Sequence, residues 1–520
     1  MKPSPLALSL LLLLCSAYEL LEVNAVRLSL HGRPRPKHAR GWLGRRAGVV
    51  GNTSVGDAGD IDYTTDVTLG GKKFTVQIDT GSSDLWVAGT VPNNKDTGKE
   101  TKVQYAVDAV EGSILTASLE FAGYTVDDQA FINVSPSTEN PDGSGLIGLG
   151  PNTGSQVRDA LASSAGDPVL DRIFRQNTST PNYITILLGR IRDPTDPPNG
   201  DLTVGEILPG YEQVTSQPKL PVSVLASNNA GNQHWQVLLD SDGVIGPAGN
   251  NVIDELNVKT AVDSTSNDKQ LTVVLDTGYS LPQVPPAIAE AFYSKVPGAS
   301  LVNRADLNGE VWQIPCDKEI NVTFKFGGVK YPIHPLDTNL DLNLTDSWGK
   351  HTCIGAFQPM NPQDGATYDM IFGMAFLRNT YTYINFGDFV DGSASSTAAP
   401  YVQLLSTTNN SAEAHSDFVK VRGDSPWTPE AASLAQRLRS RLPLIIGLSA
   451  AAGAVLLIAV GACCFFSARK NKRQRMAFFR PGPYQQLHEP APPEAHDLHL
   501  VGQQGYQPPP AYSNPWDARY

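Results

Sequence analysis

Val76-Gln77-Ile78-Asp79-Thr80-Gly81-Ser82-Ser83-Asp84-Leu85-Trp86-Val87 is an apolar strand pattern that enters an Asp-Thr-Gly turn and leaves in a second apolar run. A shorter copy follows as Val273-Val274-Leu275-Asp276-Thr277-Gly278-Tyr279-Ser280-Leu281. Each copy has a later partner of two apolar residues and a glycine: Leu146-Ile147-Gly148 after the first, Ile371-Phe372-Gly373 after the second. A single Asp-Thr-Gly is an ordinary Asx-type turn, and composition alone supplies one in roughly one chain in ten of this length. Two copies, both on apolar strands and both with the later partner, point to a duplicated unit in which each half delivers one aspartate.

Around these copies, residues 60–405 read as short strands. Phe74-Thr75-Val76-Gln77-Ile78, Ile114-Leu115-Thr116-Ala117-Ser118-Leu119, Val322-Thr323-Phe324-Lys325-Phe326 and Thr380-Tyr381-Thr382-Tyr383-Ile384-Asn385-Phe386 are β-branched or aromatic runs, several of period two. Gly70-Gly71 and Gly327-Gly328 separate pairs of such runs as hairpin turns do. Helical patterns are short, at 157–165, 169–175 and 288–295. The body is predicted to be mainly β.

The paired motifs resemble the pepsin-like aspartic endopeptidases, over about 345 residues from Asp62 to Leu405. In that family each lobe supplies one Asp-Thr/Ser-Gly, and the later apolar-apolar-Gly strand threads through the turn. Leu85-Trp86-Val87, Phe376-Leu377-Arg378-Asn379-Thr380-Tyr381 and His234-Trp235-Gln236-Val237 match further family patterns in the same order. The resemblance implies a bilobal fold with a lobe at 47–220 and a lobe at 221–405. It also implies a disulfide between Cys316 and Cys353 and catalysis by Asp79 and Asp276. Thr80 and Thr277 would exchange hydrogen bonds across the lobes, Gly81 and Gly278 would permit close approach, and Ser82 would donate to Asp79. Tyr279 stands where the family has Thr or Ser. The family's flap tyrosine is assigned to Tyr105, although Ala106 replaces the usual glycine and the Gly112-Ser113 pair comes later; a strand-packing tyrosine is the alternative.

Two adjacent carboxylates resist joint ionisation, so they share a proton, one acting as base and the other as acid. Peptide hydrolysis needs both roles at once, one to deprotonate water and one to hydrogen-bond the scissile carbonyl. Peptide or protein substrates and an acidic optimum follow. The alternative is a catalytically silent pepsin-fold protein that binds peptides or acts as a receptor.

The 520 residues carry a net charge of −12, divided as +6 over residues 1–46, −24 over 47–430 and +6 over 431–520. The acidic body speaks against nucleic acid as a partner. Lys2 and the apolar run 6–14, with small residues before cleavage points after Ala17 or Ala25, predict a signal peptide at 1–25. Residues 26–46 are basic and end in Arg45-Arg46, giving a propeptide or a disordered basic arm. An uncharged stretch at 444–466 is long enough to span a bilayer. The basic cluster after it, Arg469 to Arg475, predicts a type I orientation.

Cys15 leaves with the signal and Cys463 and Cys464 lie at the inner membrane boundary, so Cys316 and Cys353 remain to pair in an oxidising compartment. Asn52, Asn133, Asn177, Asn321, Asn343 and Asn409 begin N-glycosylation sequons. Residues 406–441 read as a flexible stalk and 467–520 as a disordered cytosolic tail. The tail holds Tyr484-Gln485-Gln486-Leu487, resembling a sorting signal, and Pro509-Pro510-Ala511-Tyr512, a ligand type for WW domains. A secretory-pathway monomer at the cell surface or in the vacuole or lysosome is expected. Gly143 to Gly148 fits a dinucleotide fingerprint, but no βαβ unit surrounds it. No HExxH, GxSxG or close Cys/His cluster is present, so no metal and no cofactor are expected, and the nine His read as surface or core groups.

Overall fold

The computed structural model describes residues 26–34, 61–105, 109–176, 180–190, 199–304, 307, 309–362, 365–390 and 398–423, all within one compact unit, Met1–Arg439. The signal peptide, Arg45-Arg46, Asn52, Asn177, the 444–466 span and the tail motifs Tyr484, Leu487, Pro509, Pro510 and Tyr512 lie outside the described residues. Among the described residues no helix is long and apolar enough to cross a membrane.

The body is mainly β, as its alternation predicts. In the first half, Lys72–Asp79 pairs in parallel with Ser144–Gly148, which pairs antiparallel with Leu85–Ala88. The chain thus runs down one side of Ser144–Gly148, turns at Asp79-Thr80-Gly81, and returns along the other. The second half repeats the arrangement: Thr272–Leu275 lies parallel to Met370–Phe372, which pairs antiparallel with Gln283–Val284. Both partner glycines have a steric reason. A Cβ on Gly148 would come within 2.4 Å of the Ser83 carbonyl carbon, and one on Gly373 within 2.1 Å of the Tyr279 carbonyl oxygen. Only hydrogen fits where the turn folds over the central strand.

The halves join through one thirteen-stranded sheet. Thr380–Asn385 of the second half pairs with Tyr183–Leu188 of the first in the register Thr382↔Ile186 to Asn385↔Tyr183. Gly70-Gly71 and Gly327-Gly328 form the expected tight hairpins, all four at positive φ. Behind the turns, Val76, Ile78, Val273, Leu275 and Phe372 are fully or almost fully buried in a shared apolar core. Cys316 and Cys353 are bonded, with Cα atoms 4.9 Å apart.

Two segments carry regular structure that their composition does not announce. Residues 26–34 are not a disordered arm: Val26–Pro34 is a strand of the joining sheet, between Asn199–Val204 and Ile61–Leu69. Leu30 is fully buried, and Arg27 forms a two-pronged ion pair with Asp201 at 2.6 and 3.0 Å. Residues 406–423, expected to open a flexible stalk, include regular structure. Tyr401–Ser406 completes a strand, and Ser411–Arg422 is a helix. Asn410 caps it by accepting from the amides of Ala412 and Glu413, and Gly423 ends it at φ 84°. Ala414 and Phe418, four residues apart, bury its inner face, while Arg422 pairs with Asp341 (2.9 Å) and His415 with Glu319 (2.6 Å). Among the described sequons, Asn321, Asn343 and Asn409 are exposed and Asn133 is half-buried on Tyr124–Val134.

Candidate active site

Asp79 ends the strand Lys72–Asp79, and Asp276 directly follows Thr272–Leu275. Both are buried, at 0% and 3% exposure. The turns that carry them are laced together by four hydrogen bonds. The Thr80 amide donates to Thr277 Oγ1 (3.0 Å) and the Thr277 amide to Thr80 Oγ1 (2.9 Å). Each hydroxyl then donates onward into the opposite lobe, Thr80 to the Leu275 carbonyl (2.9 Å) and Thr277 to the Ile78 carbonyl (3.1 Å). A hydroxyl is needed at both positions, since it must accept and donate at once.

The glycines set how near the carboxylates come. A Cβ on Gly81 would lie 2.2 Å from Asp276 Oδ2, and one on Gly278 would lie 2.6 Å from Asp79 Oδ1. Each turn thus sits directly against the other lobe's carboxylate. Within its own turn each carboxylate accepts from the amide two residues on, Gly81 to Asp79 Oδ1 at 2.8 Å and Gly278 to Asp276 Oδ1 at 2.7 Å. The Ser82 hydroxyl donates to Asp79 Oδ2. Two buried carboxyl groups in this arrangement favour a shared proton over double ionisation.

Asp84 anchors the first turn from behind. It accepts from Ser155 Oγ (2.5 Å) and from the amides of Gln156 (2.8 Å) and Val157 (3.2 Å), and burial raises its carboxyl above the ordinary range. Tyr279 turns the other way from Ser82. Its ring packs with Val274, Met360 and Ile371, and its hydroxyl donates to Gln283 Oε1 (3.2 Å). Tyr105 closes the strand Lys95–Gln104 at the edge of a hairpin tip whose residues 106–108 lie outside the described set. It is 2% exposed and packs with Trp86, Val103, Val110 and Ile114.

Sequence reasoning missed two contributors that depend on distant chain segments meeting. Arg190 and Arg378 both pair with Asp337, at 2.6 and 2.7 Å, and link the end of a first-lobe strand to the second lobe. Burial alone would raise the Asp337 carboxyl, but the two guanidinium groups overcome that and hold it low. His234 is the other: it is buried against the first turn, with Nδ1 3.1 Å from the Gly81 carbonyl. Its place beside Trp235 in a family-like strand was the available signal. The grouping of Cys316, Asp341 and His351 offers a disulfide sulfur in place of a thiolate.

A family model described as eukaryotic aspartyl protease matches residues 62–395. The chain is 28% identical to major aspartyl peptidase 1 of Cryptococcus neoformans var. grubii, covering 68% of this chain and 74% of that protein. It is 26% identical to mouse (Mus musculus) cathepsin E over 63% of this chain and 79% of that one. With a probable aspartic-type endopeptidase CTSD of Arthroderma benhamiae it shares 25% identity over 64% of this chain, and it spans 60% of that relative's length.

Proposed function

The chain belongs to the eukaryotic aspartyl protease family, and from that premise we propose that Asp79 and Asp276 hydrolyse peptide bonds with one shared proton. The ionised carboxylate takes a proton from a water held between the pair. The protonated one hydrogen-bonds the scissile carbonyl as the tetrahedral diol forms. The observation that carries this reading is the reciprocal contact of each turn's glycine with the other lobe's carboxylate, which makes the two aspartates one group. Thr80 and Thr277 hold that pair rigid, Ser82 orients Asp79, and Tyr105 moves with its hairpin to cover bound peptide.

The reading extends to the whole chain: a signal peptide at 1–25, a basic propeptide at 26–46 removed after Arg46, and lobes at 47–220 and 221–405. A single span at 444–466 would tether the enzyme with its active site lumenal or extracellular. Glycans at the sequons and recognition of Pro509 to Tyr512 by a WW-domain protein fit that orientation. Purified full-length protein should cleave denatured haemoglobin at about pH 4 in a pepstatin-sensitive manner. Asp79→Asn and Asp276→Asn should each abolish cleavage. Activity persisting in both variants excludes the mechanism, and no cleavage by the protein lacking residues before Ala47 favours a peptide-binding role. Resistance of the full chain to alkaline extraction from membranes tests the tether, and unchanged turnover in Tyr512→Ala removes the WW assignment.

A further inference from the structure

Residues 234 and 235 contact segments belonging to both Asp-Thr-Gly turns. The Trp235 carbonyl accepts from the Leu275 amide at 3.0 Å, directly before Asp276. Its indole Nε1 donates to the Leu149 carbonyl at 2.9 Å, and the Leu149 amide donates to the Asp79 carbonyl at 2.7 Å. His234 makes the third contact, 3.1 Å from the Gly81 carbonyl across 153 residues of chain.

We propose that His234 is a positioning residue of the first turn, in which Nδ1–H fixes the peptide unit joining Gly81 to Ser82 and thereby aims the two groups that hold the Asp79 carboxylate. This role rests on the proton-sharing reading of Asp79 and Asp276. A carbonyl can only accept, so the hydrogen bond requires the tautomer with hydrogen on Nδ1. Burial lowers His234 to about 4, which leaves the ring neutral with one hydrogen above that pH. Nε2 is then a bare acceptor, fully enclosed and without a hydrogen-bond partner. An apolar ring would fill this space without enclosing an unpaired nitrogen, so what imidazole adds is the Nδ1 donor. Tyr368 meets the ring edge-on, with centroids 6.0 Å apart and planes at 83°, and sets its tilt.

The peptide that His234 holds has a donor to Asp79 on either side. Gly81 N–H reaches Oδ1, and the Ser82 hydroxyl reaches Oδ2. Displacement of this peptide would shift the Cα atoms of Gly81 and Ser82, loosen both flanking donors and disturb the placement of the Asp79 carboxylate beside the second turn. A fault of that kind slows the chemical step and leaves substrate pockets intact.

The test compares His234→Asn, His234→Gln and His234→Phe in the full-length protein at about pH 5, where the ring is neutral. The substrate is an internally quenched peptide selected from a library by the parent enzyme. Asn carries an N–H near the Nδ1 position, Gln carries it near Nε2, and Phe keeps the ring shape without a donor. Phe and Gln should lower kcat roughly 10- to 100-fold with KM nearly constant, while Asn stays within about threefold of the parent. Asn and Gln should melt alike, because both lose the ring. Equal kcat in Asn and Gln, parent-like kcat in Phe, or a loss confined to KM would overturn the role. A parent that cleaves no peptide overturns the endopeptidase reading and this role with it.

Discussion

In the first Asp-Thr-Gly turn, Ser82 places a hydroxyl on Asp79 and His234 grips the Gly81 carbonyl. In the second, the residue corresponding to Ser82 is Tyr279, whose hydroxyl goes to Gln283 and whose ring joins an apolar cluster. Yet the contacts that bring the turns together are matched one for one: threonine to threonine, glycine to opposite carboxylate, central strand to glycine. Geometry is duplicated where two backbones must meet, and chemistry diverges where each carboxylate meets its own lobe. The two aspartates are therefore equal in placement and unequal in surroundings.

The symmetric part should be the harder to perturb without loss. Replacing either aspartate by Asn should lower kcat by roughly 10³-fold or more, since neither acid nor base has a substitute; single-turnover cleavage measures it, and a tenfold difference between the two variants would break the symmetry claimed for them. Alanine at Gly81 should cost about 10²-fold in kcat by prising the carboxylates apart. The same change at Gly278 should cost less, in line with clearances of 2.2 and 2.6 Å.

The lobes also differ in what bears on their stability. The second is stapled by Cys316–Cys353, worth about 4 kcal/mol in the chain-entropy account. The first holds Asp171, which burial pushes up to about 7 although Asn152 donates to it and Arg175 stands near. A carboxyl raised in the folded state binds a proton that the unfolded chain has released. The contribution of Asp171 is therefore full below about pH 4 and is lost as pH rises toward 7, by at most about 1.4 kcal/mol per pH unit. Asp171→Asn should narrow the difference in melting temperature between pH 4 and pH 7.5. An unchanged difference would mean that another group controls neutral-pH loss.

Smaller effects probe the asymmetric surroundings. Ser82→Ala should reduce kcat roughly tenfold by removing a charge-assisted hydrogen bond. Tyr279→Thr should change kcat less than about threefold while lowering stability by about 1–3 kcal/mol, because the ring fills space among Val274, Met360 and Ile371. A large gain in kcat would show that Tyr279 limits the second carboxylate.

Much of this was readable from the chain because the closest contacts tolerate few residue types. Gly81, Gly278, Gly148 and Gly373 are dictated by clearances too small for a Cβ, and Thr80 and Thr277 by hydroxyls that both accept and donate. Val26-Arg27-Leu28-Ser29-Leu30 had the alternation of a strand, but its basic composition resembled a solvated arm. Helix Ser411–Arg422 announced itself only through the Asn410 to Glu413 spacing and Gly423, since three buried residues, one of them the charged Asp417, make a faint apolar periodicity. The Arg190–Asp337–Arg378 cluster and the His234 to Gly81 contact had no local signature, because Arg190 and Asp337 are 147 residues apart, Asp337 and Arg378 are 41 apart, and His234 and Gly81 are 153 apart.

Helix Ser411–Arg422 also determines how the described body would carry mechanical load. A pull applied beyond Gly423 acts first on Arg422, bound to Asp341 and to the Asn339 carbonyl, and then on His415, bound to Glu319. Asp341 lies on Asn339–Thr345, which pairs with His351–Gly355, the strand that holds disulfide-bonded Cys353. Force is thus spread into a covalently stapled sheet before it reaches Tyr401–Ser406 and the sheet that joins the lobes. The helix works as strain relief on a cable, and the spacing of the two carboxylates is insulated from a pull on the chain beyond it.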